Sequence, residues 1–77
     1  MSLLELYGSS TCPYTQEMRE SLEWRNRDFR EYDVETDKEA NARLRALSGS
    51  CSVPVIVEDG KVIQIGWQGR SCIVGPA

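Results

Sequence analysis

The chain opens on Leu3-Leu4-Glu5-Leu6-Tyr7, a short and mostly apolar run that stops at Gly8. Such a run predicts a buried strand. Gly8-Ser9-Ser10-Thr11 reads as a loop. Pro13 suits the first position of a helix, where its missing N–H costs nothing. Tyr14, Met18 and Leu22 recur at i, i+4 and i+8, which predicts an amphipathic helix from about Pro13 to Asn26. Gln16, Glu17, Arg19, Glu20 and Glu23 form its polar side. Residues 28–34 alternate polar and apolar, the period of a half-exposed strand. Thr36-Asp37-Lys38-Glu39 has the form of a capping box, with Thr36 as N-cap and Glu39 at N3. Ala40, Leu44 and Leu47 share one face of the helix that follows, and Ser48-Gly49 ends it. Glu39 and Arg43 are spaced to pair on its solvated side. Val55-Ile56-Val57 is a β-branched strand, Asp59-Gly60 a hairpin signal, and Lys61 to Ile65 the returning strand. The tail from Arg70 has room for at most one helical turn before Gly75-Pro76.

The resulting order is β-α-β-α-β-β. The first two strands are joined through a helix and are therefore parallel, with a right-handed crossover. The last two form an antiparallel hairpin. This is an α/β chain with a small mixed sheet covered by helices, and 77 residues make a single domain, 1–77. A chain of this length buries only about 60% of its unfolded surface, so nearly every apolar residue must serve the core.

Charge and composition narrow the function. The formal charge is -3 and the pI about 4.8. No Lys/Arg cluster is present to neutralise phosphates, so nucleic acid is not the expected partner. The acidic surface argues against anionic membranes, and no apolar run approaches the roughly 20 residues that span a bilayer. The N-terminus lacks the basic and apolar regions of a secretory signal, so a cytoplasmic setting is expected. Three cysteines are present, with no CxxC pair and no histidine. That spacing fits neither a zinc site nor a disulfide framework, which a reducing compartment disfavours.

Cys12 carries the chemistry. It sits where the first strand gives way to the first helix, with Pro13 marking it as the N-cap. The unpaired N–H groups and the positive dipole end of a helix favour negative charge, and the thiolate is the reactive form of cysteine. A thiol with a pKa of about 8.5 is only about 3% ionised at pH 7, whereas one near 7 is half ionised. Thr15, at N3, can turn its hydroxyl back towards the sulfur.

Tyr7-Gly8-Ser9-Ser10-Thr11-Cys12-Pro13-Tyr14-Thr15 resembles the active-site segment of glutaredoxins, whose usual motif is Cys-Pro-Tyr-Cys. Ser48-Gly49 and then Ser52-Val53-Pro54-Val55-Ile56-Val57-Glu58-Asp59-Gly60 resemble the family's helix end, Thr-Val-Pro segment and hairpin. The likeness runs from about Leu3 to Trp67. It implies a thioredoxin-like, glutaredoxin-type fold with a mixed four-stranded sheet, and thiol–disulfide exchange. The chain departs from the family pattern in four places. Thr15 replaces the second cysteine, giving a monothiol motif. Ser9 stands at the position of a lysine that binds the glutathione carboxylate. Gly66-Trp67-Gln68-Gly69 replaces Gly-Gly-x-Asp and looks more like the donors that serve ribonucleotide reductase. The C-terminal helix is short or absent, leaving one sheet face thinly covered and open to a partner or a homodimer contact.

The resemblance implies a cis bond at Pro54, with Val53 offering backbone hydrogen bonds to a glutathionyl or protein chain. It also implies that Pro13 and Tyr14 shape the groove beside the sulfur. Trp67 either walls that groove or packs on the uncovered sheet, and Trp24 is core or partner-facing. Cys51 and Cys72 are both candidate resolving thiols, if their backbones come within about 7 Å of Cys12. The expected activity is thiol–disulfide exchange on disulfides or glutathionylated proteins, with glutathione a candidate cosubstrate and no tightly bound cofactor. Two alternatives stand beside it. One is a dimeric module holding an iron–sulfur cluster with two glutathiones. The other is a non-catalytic thioredoxin-like interaction domain.

Overall fold

The computed structural model describes residues 3–75. Strand β1 (Leu4–Gly8) leads to helix α1 (Pro13–Trp24), strand β2 (Phe29–Asp33) and helix α2 (Lys38–Ser48). Strands β3 (Ser52–Val53), β4 (Val55–Glu58), β5 (Lys61–Ile65) and β6 (Cys72–Ile73) follow. The main sheet has the order β2-β1-β4-β5. The β1–β2 pair is parallel, and the β1–β4 and β4–β5 pairs are antiparallel. A separate two-stranded ladder joins β3 and β6.

Alternation along the strands divides the interior into two cores. Leu4, Leu6 and Ile56 meet Met18 and Leu22 of α1 on one sheet face. Tyr7, Val55 and Val57 point to the other, where they join Ala40 and Leu44 of α2, Val34, Val53, Val74 and Cys12.

Helix α1 stops short of the expected Asn26. The Asn26 amide donates to the Glu23 carbonyl and the Arg27 amide to the Leu22 carbonyl, both at 3.1 Å. Asn26 itself takes a left-handed φ of 55°. These two bonds satisfy carbonyls the helix end would leave open, in the pattern usually closed by glycine. Helix α2 starts one residue later than the expected capping box. Asp37, not Thr36, is the N-cap, and its carboxylate accepts from the Ala40 amide at 3.0 Å. Thr36 instead turns its hydroxyl back to the Asp33 carbonyl. Gly49 closes α2 in a left-handed conformation, φ 74°. Asp59 and Gly60 both have positive φ, as a two-residue hairpin turn requires. The β4–β5 ladder shifts register between Ile56 and Val57.

The anticipated Glu39–Arg43 ion pair is replaced by an aromatic contact. The Arg43 guanidinium lies 4.9 Å from the centre of the Tyr32 ring and donates to the Tyr7 hydroxyl at 3.2 Å. Ion pairs among the described residues are instead Arg19–Glu31 and Arg27–Glu58.

The tail holds a strand and no helical turn among the described residues. Gly66, Gln68 and Gly69 all have positive φ, and Trp67 and Arg70 exchange backbone hydrogen bonds. This tight reversal sends Cys72–Ile73 back along β3. Pro76, expected to close the tail, lies outside the described residues. No described helix is long and apolar enough to cross a membrane.

Candidate active site

Cys12 is the N-cap of α1, with extended backbone (φ -93°, ψ 116°) and Pro13 immediately inside the helix. Its amide donates to the Ser9 carbonyl at 3.1 Å, which closes the loop after β1. The amides of Tyr14 and Thr15 fall in the first turn, where no helical carbonyl can reach them. Cys12 is only 3% exposed and belongs to the α2-side core.

The sulfur of Cys12 is bonded to that of Cys72, with the two Cα atoms 6.1 Å apart across 60 residues of sequence. Of the two thiols weighed as resolving partners, Cys72 is therefore the one in bonding contact. Cys51 is a free, half-buried thiol whose carbonyl accepts from the Val74 amide at 2.9 Å.

Thr15 takes a different position from the one expected of it. It is wholly buried, and its hydroxyl accepts from the Ser9 amide at 3.3 Å rather than turning to the sulfur. Its side chain fills the space beside Gly8, where a Cβ would collide with the Thr15 methyl. Thr15 thus fixes the loop that carries Cys12 and is a positioning residue. The cause is spatial: Gly8 ends β1 directly under the first turn of α1.

Ser9 is buried, and its hydroxyl bonds the Glu35 carboxylate and lies 2.9 Å from the Thr11 hydroxyl. Thr11 also donates to Glu35, at 3.0 Å. A carboxylate therefore stands beside the position where the family resemblance places a lysine. Glu35 was not singled out in the sequence. It lies 24 residues from Thr11, and no local signal joins them.

Val53 and Pro54 are buried and joined by a cis peptide bond. Val53 lies opposite Cys72 in the β3–β6 ladder. Its side chain shares the core that holds Cys12, and Tyr14 packs half-buried on the same cluster. Trp67 packs on the α1-side core and not on the cluster that holds Cys12, which favours the sheet-covering reading over the groove wall. Trp24 is 88% exposed and so is not core.

The tail is held beyond the disulfide as well. Val74 is 4% exposed in the α2-side core. The buried Asn41 amide donates to the carbonyls of Val34 and Gly75, at 3.1 and 3.0 Å. The nearby Tyr7 hydroxyl is pushed above its ordinary pKa, chiefly by burial and against the opposing pull of Arg43.

These elements define a thioredoxin-like α/β protein with a disulfide-bonded cysteine at the start of its first helix. Residues 4–63 match the glutaredoxin family model, and the chain belongs to that family. A glutaredoxin-like 8.6 kDa protein in the rubredoxin operon of Clostridium pasteurianum is 34% identical over 61 residues, spanning 79% of this chain and 81% of its own. The glutaredoxin of Archaeoglobus fulgidus superposes with a TM-score of 0.74 at 30% identity, covering 88% of this chain and 78% of that one. The crystal structure of a thioredoxin-like protein superposes at 0.77 with 35% identity, covering 84% of this chain and 88% of that one. Family membership supports thiol–disulfide oxidoreductase activity in general.

Proposed function

We propose that this chain reduces disulfides through Cys12 as the single nucleophile, with Cys72 as the thiol that resolves the intermediate. The Cys12 thiolate attacks one sulfur of a client disulfide. A mixed disulfide forms and the client's other sulfur leaves as a thiolate. The Cys72 thiolate then attacks the Cys12 sulfur, so the client departs fully reduced and the Cys12–Cys72 bond is made. An external dithiol supplies two electrons and two protons to restore both thiols. Such a cycle suits a reducing compartment, the cytoplasm.

One observation carries this reading: the bond between Cys12 and Cys72, which lies outside the Cys-Pro-Tyr-Thr motif. It supports a chain that is monothiol in its motif but has a second thiol within reach. The amides of Tyr14 and Thr15 favour the thiolate that reduction would release. The Glu35 carboxylate beside Ser9 and Thr11 repels a cosubstrate carboxylate, which favours protein disulfides over glutathione.

Intact-mass spectrometry after brief treatment with a model disulfide tests the assignment. Cys12→Ser should form no adduct. Cys72→Ser should accumulate the Cys12 mixed disulfide, which the parent chain resolves. An adduct trapped by Cys51→Ser and not by Cys72→Ser would reassign the resolving role. Parallel treatment with glutathione disulfide should give slower adduct formation than an uncharged disulfide.

A further inference from the structure

The tail lies on the same edge that the proposed reaction needs. Strand β6 runs antiparallel to β3, with Cys72 opposite Val53 and Ile73 opposite Ser52. The Val74 amide donates to the Cys51 carbonyl, the Val74 side chain enters the core, and Asn41 holds the Gly75 carbonyl. Ile73, between the two anchors, points out and is 74% exposed. The segment therefore shows how an extended chain sits here. A cysteine meets Cys12, the next residue faces solvent, and the residue after that is buried in the apolar cluster that includes Ala40, Leu44 and Val53.

We infer that residues 71–75 are a built-in competitor for a client-binding groove, and that the groove selects extended protein segments with a β-branched aliphatic residue two positions after the reacting cysteine. The inference rests on Cys12 being the nucleophile and adds what that nucleophile prefers. While the Cys12–Cys72 bond is intact, the tail is tied in place and the groove is closed. Reduction of that bond by an external dithiol, with two electrons and two protons taken up, leaves only the β3 ladder, Val74 and Asn41 to hold the tail. Clients then compete with it. Occupancy by the tail lowers apparent client affinity by the fraction of molecules left open.

The test uses reduced full-length chain in the Cys72→Ser background, with and without Val74→Asp. The probe is the peptide Arg-Ser-Cys-Ile-Val-Gly, its cysteine carried as a mixed disulfide with 2-thiopyridine. Attack by Cys12 breaks that bond, transfers the peptide to Cys12 and releases thiopyridone, which is followed optically. Bis(2-hydroxyethyl) disulfide, too small to use the groove, is the reference. If the tail is docked about nine-tenths of the time, Val74→Asp raises the ratio of peptide rate to reference rate about tenfold. A peptide with aspartate in place of its valine should lose that gain. In the unaltered protein, reduction should speed hydrogen exchange at the Val74 amide by more than about tenfold and leave β1 amides unchanged, a measurement that does not depend on the variant folding. A ratio unmoved by Val74→Asp, indifference to the peptide's valine, or equal Val74 protection in both redox states overturns the inference while leaving Cys12 as nucleophile. No reaction with the reference disulfide at all sinks both.

Discussion

The two faces of the sheet are built differently. On the α1 side, Leu4, Leu6, Met18, Leu22 and Ile56 form an aliphatic core drawn mainly from one strand and the helix that follows it. On the α2 side, the core gathers Tyr7, Cys12, Val34, Leu44, Val53 and Val74, from nearly the whole length of the chain. The first face is ordinary burial of apolar surface. The second includes the Cys12 sulfur, the residue before the cis proline and the tail that carries the sulfur bonded to it. Breaking the Cys12–Cys72 bond would thus change how one core is held together, and the other core should not feel it directly.

The largest expected effect breaks the tie on the α2 side. A bond closing about 60 residues removes unfolded-chain entropy that amounts to about 4 kcal/mol. Reduction should lower the urea midpoint of the parent chain by a corresponding amount. Cys72→Ser should start at the lower midpoint and not respond to reductant. A parent chain whose midpoint ignores reductant would mean that the tail contributes nothing to holding this face.

The second comparison sets the two cores against each other. Leu6 and Leu44 are both fully buried, one on each face. Truncation of either to alanine should cost about 2–5 kcal/mol. Only Leu44→Ala also enlarges the slot around Val74, so only it should speed exchange of the Val74 amide beyond what global destabilisation predicts. Equal local effects from Leu6→Ala would mean the two cores act as one.

How well the sequence foretold each region follows the same division. The order of the elements, the parallel crossover, the Asp59-Gly60 turn and most of each helix's apolar face were legible, because each follows from a short periodic pattern; Leu47 is instead exposed, and Tyr14 packs on the α2-side core rather than with Met18 and Leu22. Cys12 stood out for the same reason: strand, loop and Pro13 are adjacent in the chain. What was missed is non-local. The pairing of β6 with β3 depends on a reversal at Gly66–Arg70, where tail residues Cys72 to Val74 are brought to an edge about 20 residues upstream. Thr15 drew a catalytic reading because its place at N3 could turn its hydroxyl to the sulfur, whereas in space that hydroxyl accepts from the Ser9 amide and the side chain wedges beside Gly8. Asn41 and Glu35 act on partners 34 and 24 residues away and carry no local signature.

The smallest expected effect comes from the cap of α2, where the local pattern pointed one residue too early. Thr36 and Asp37 can each serve as an N-cap, since both place an oxygen near free helix amides. In the structure the Asp37 carboxylate bonds the Ala40 amide, and the Thr36 hydroxyl is spent on the preceding turn. Asp37→Ala should therefore cost about 1 kcal/mol, and Thr36→Ala distinctly less, by chemical denaturation. The cap lies on the helix that supplies Asn41 and Leu44, so its loss should loosen the tail as well. Val74 amide exchange should rise in Asp37→Ala, with the Leu22 end of α1 unaffected. If Thr36→Ala were the costlier change, the capping box would begin at Thr36 after all.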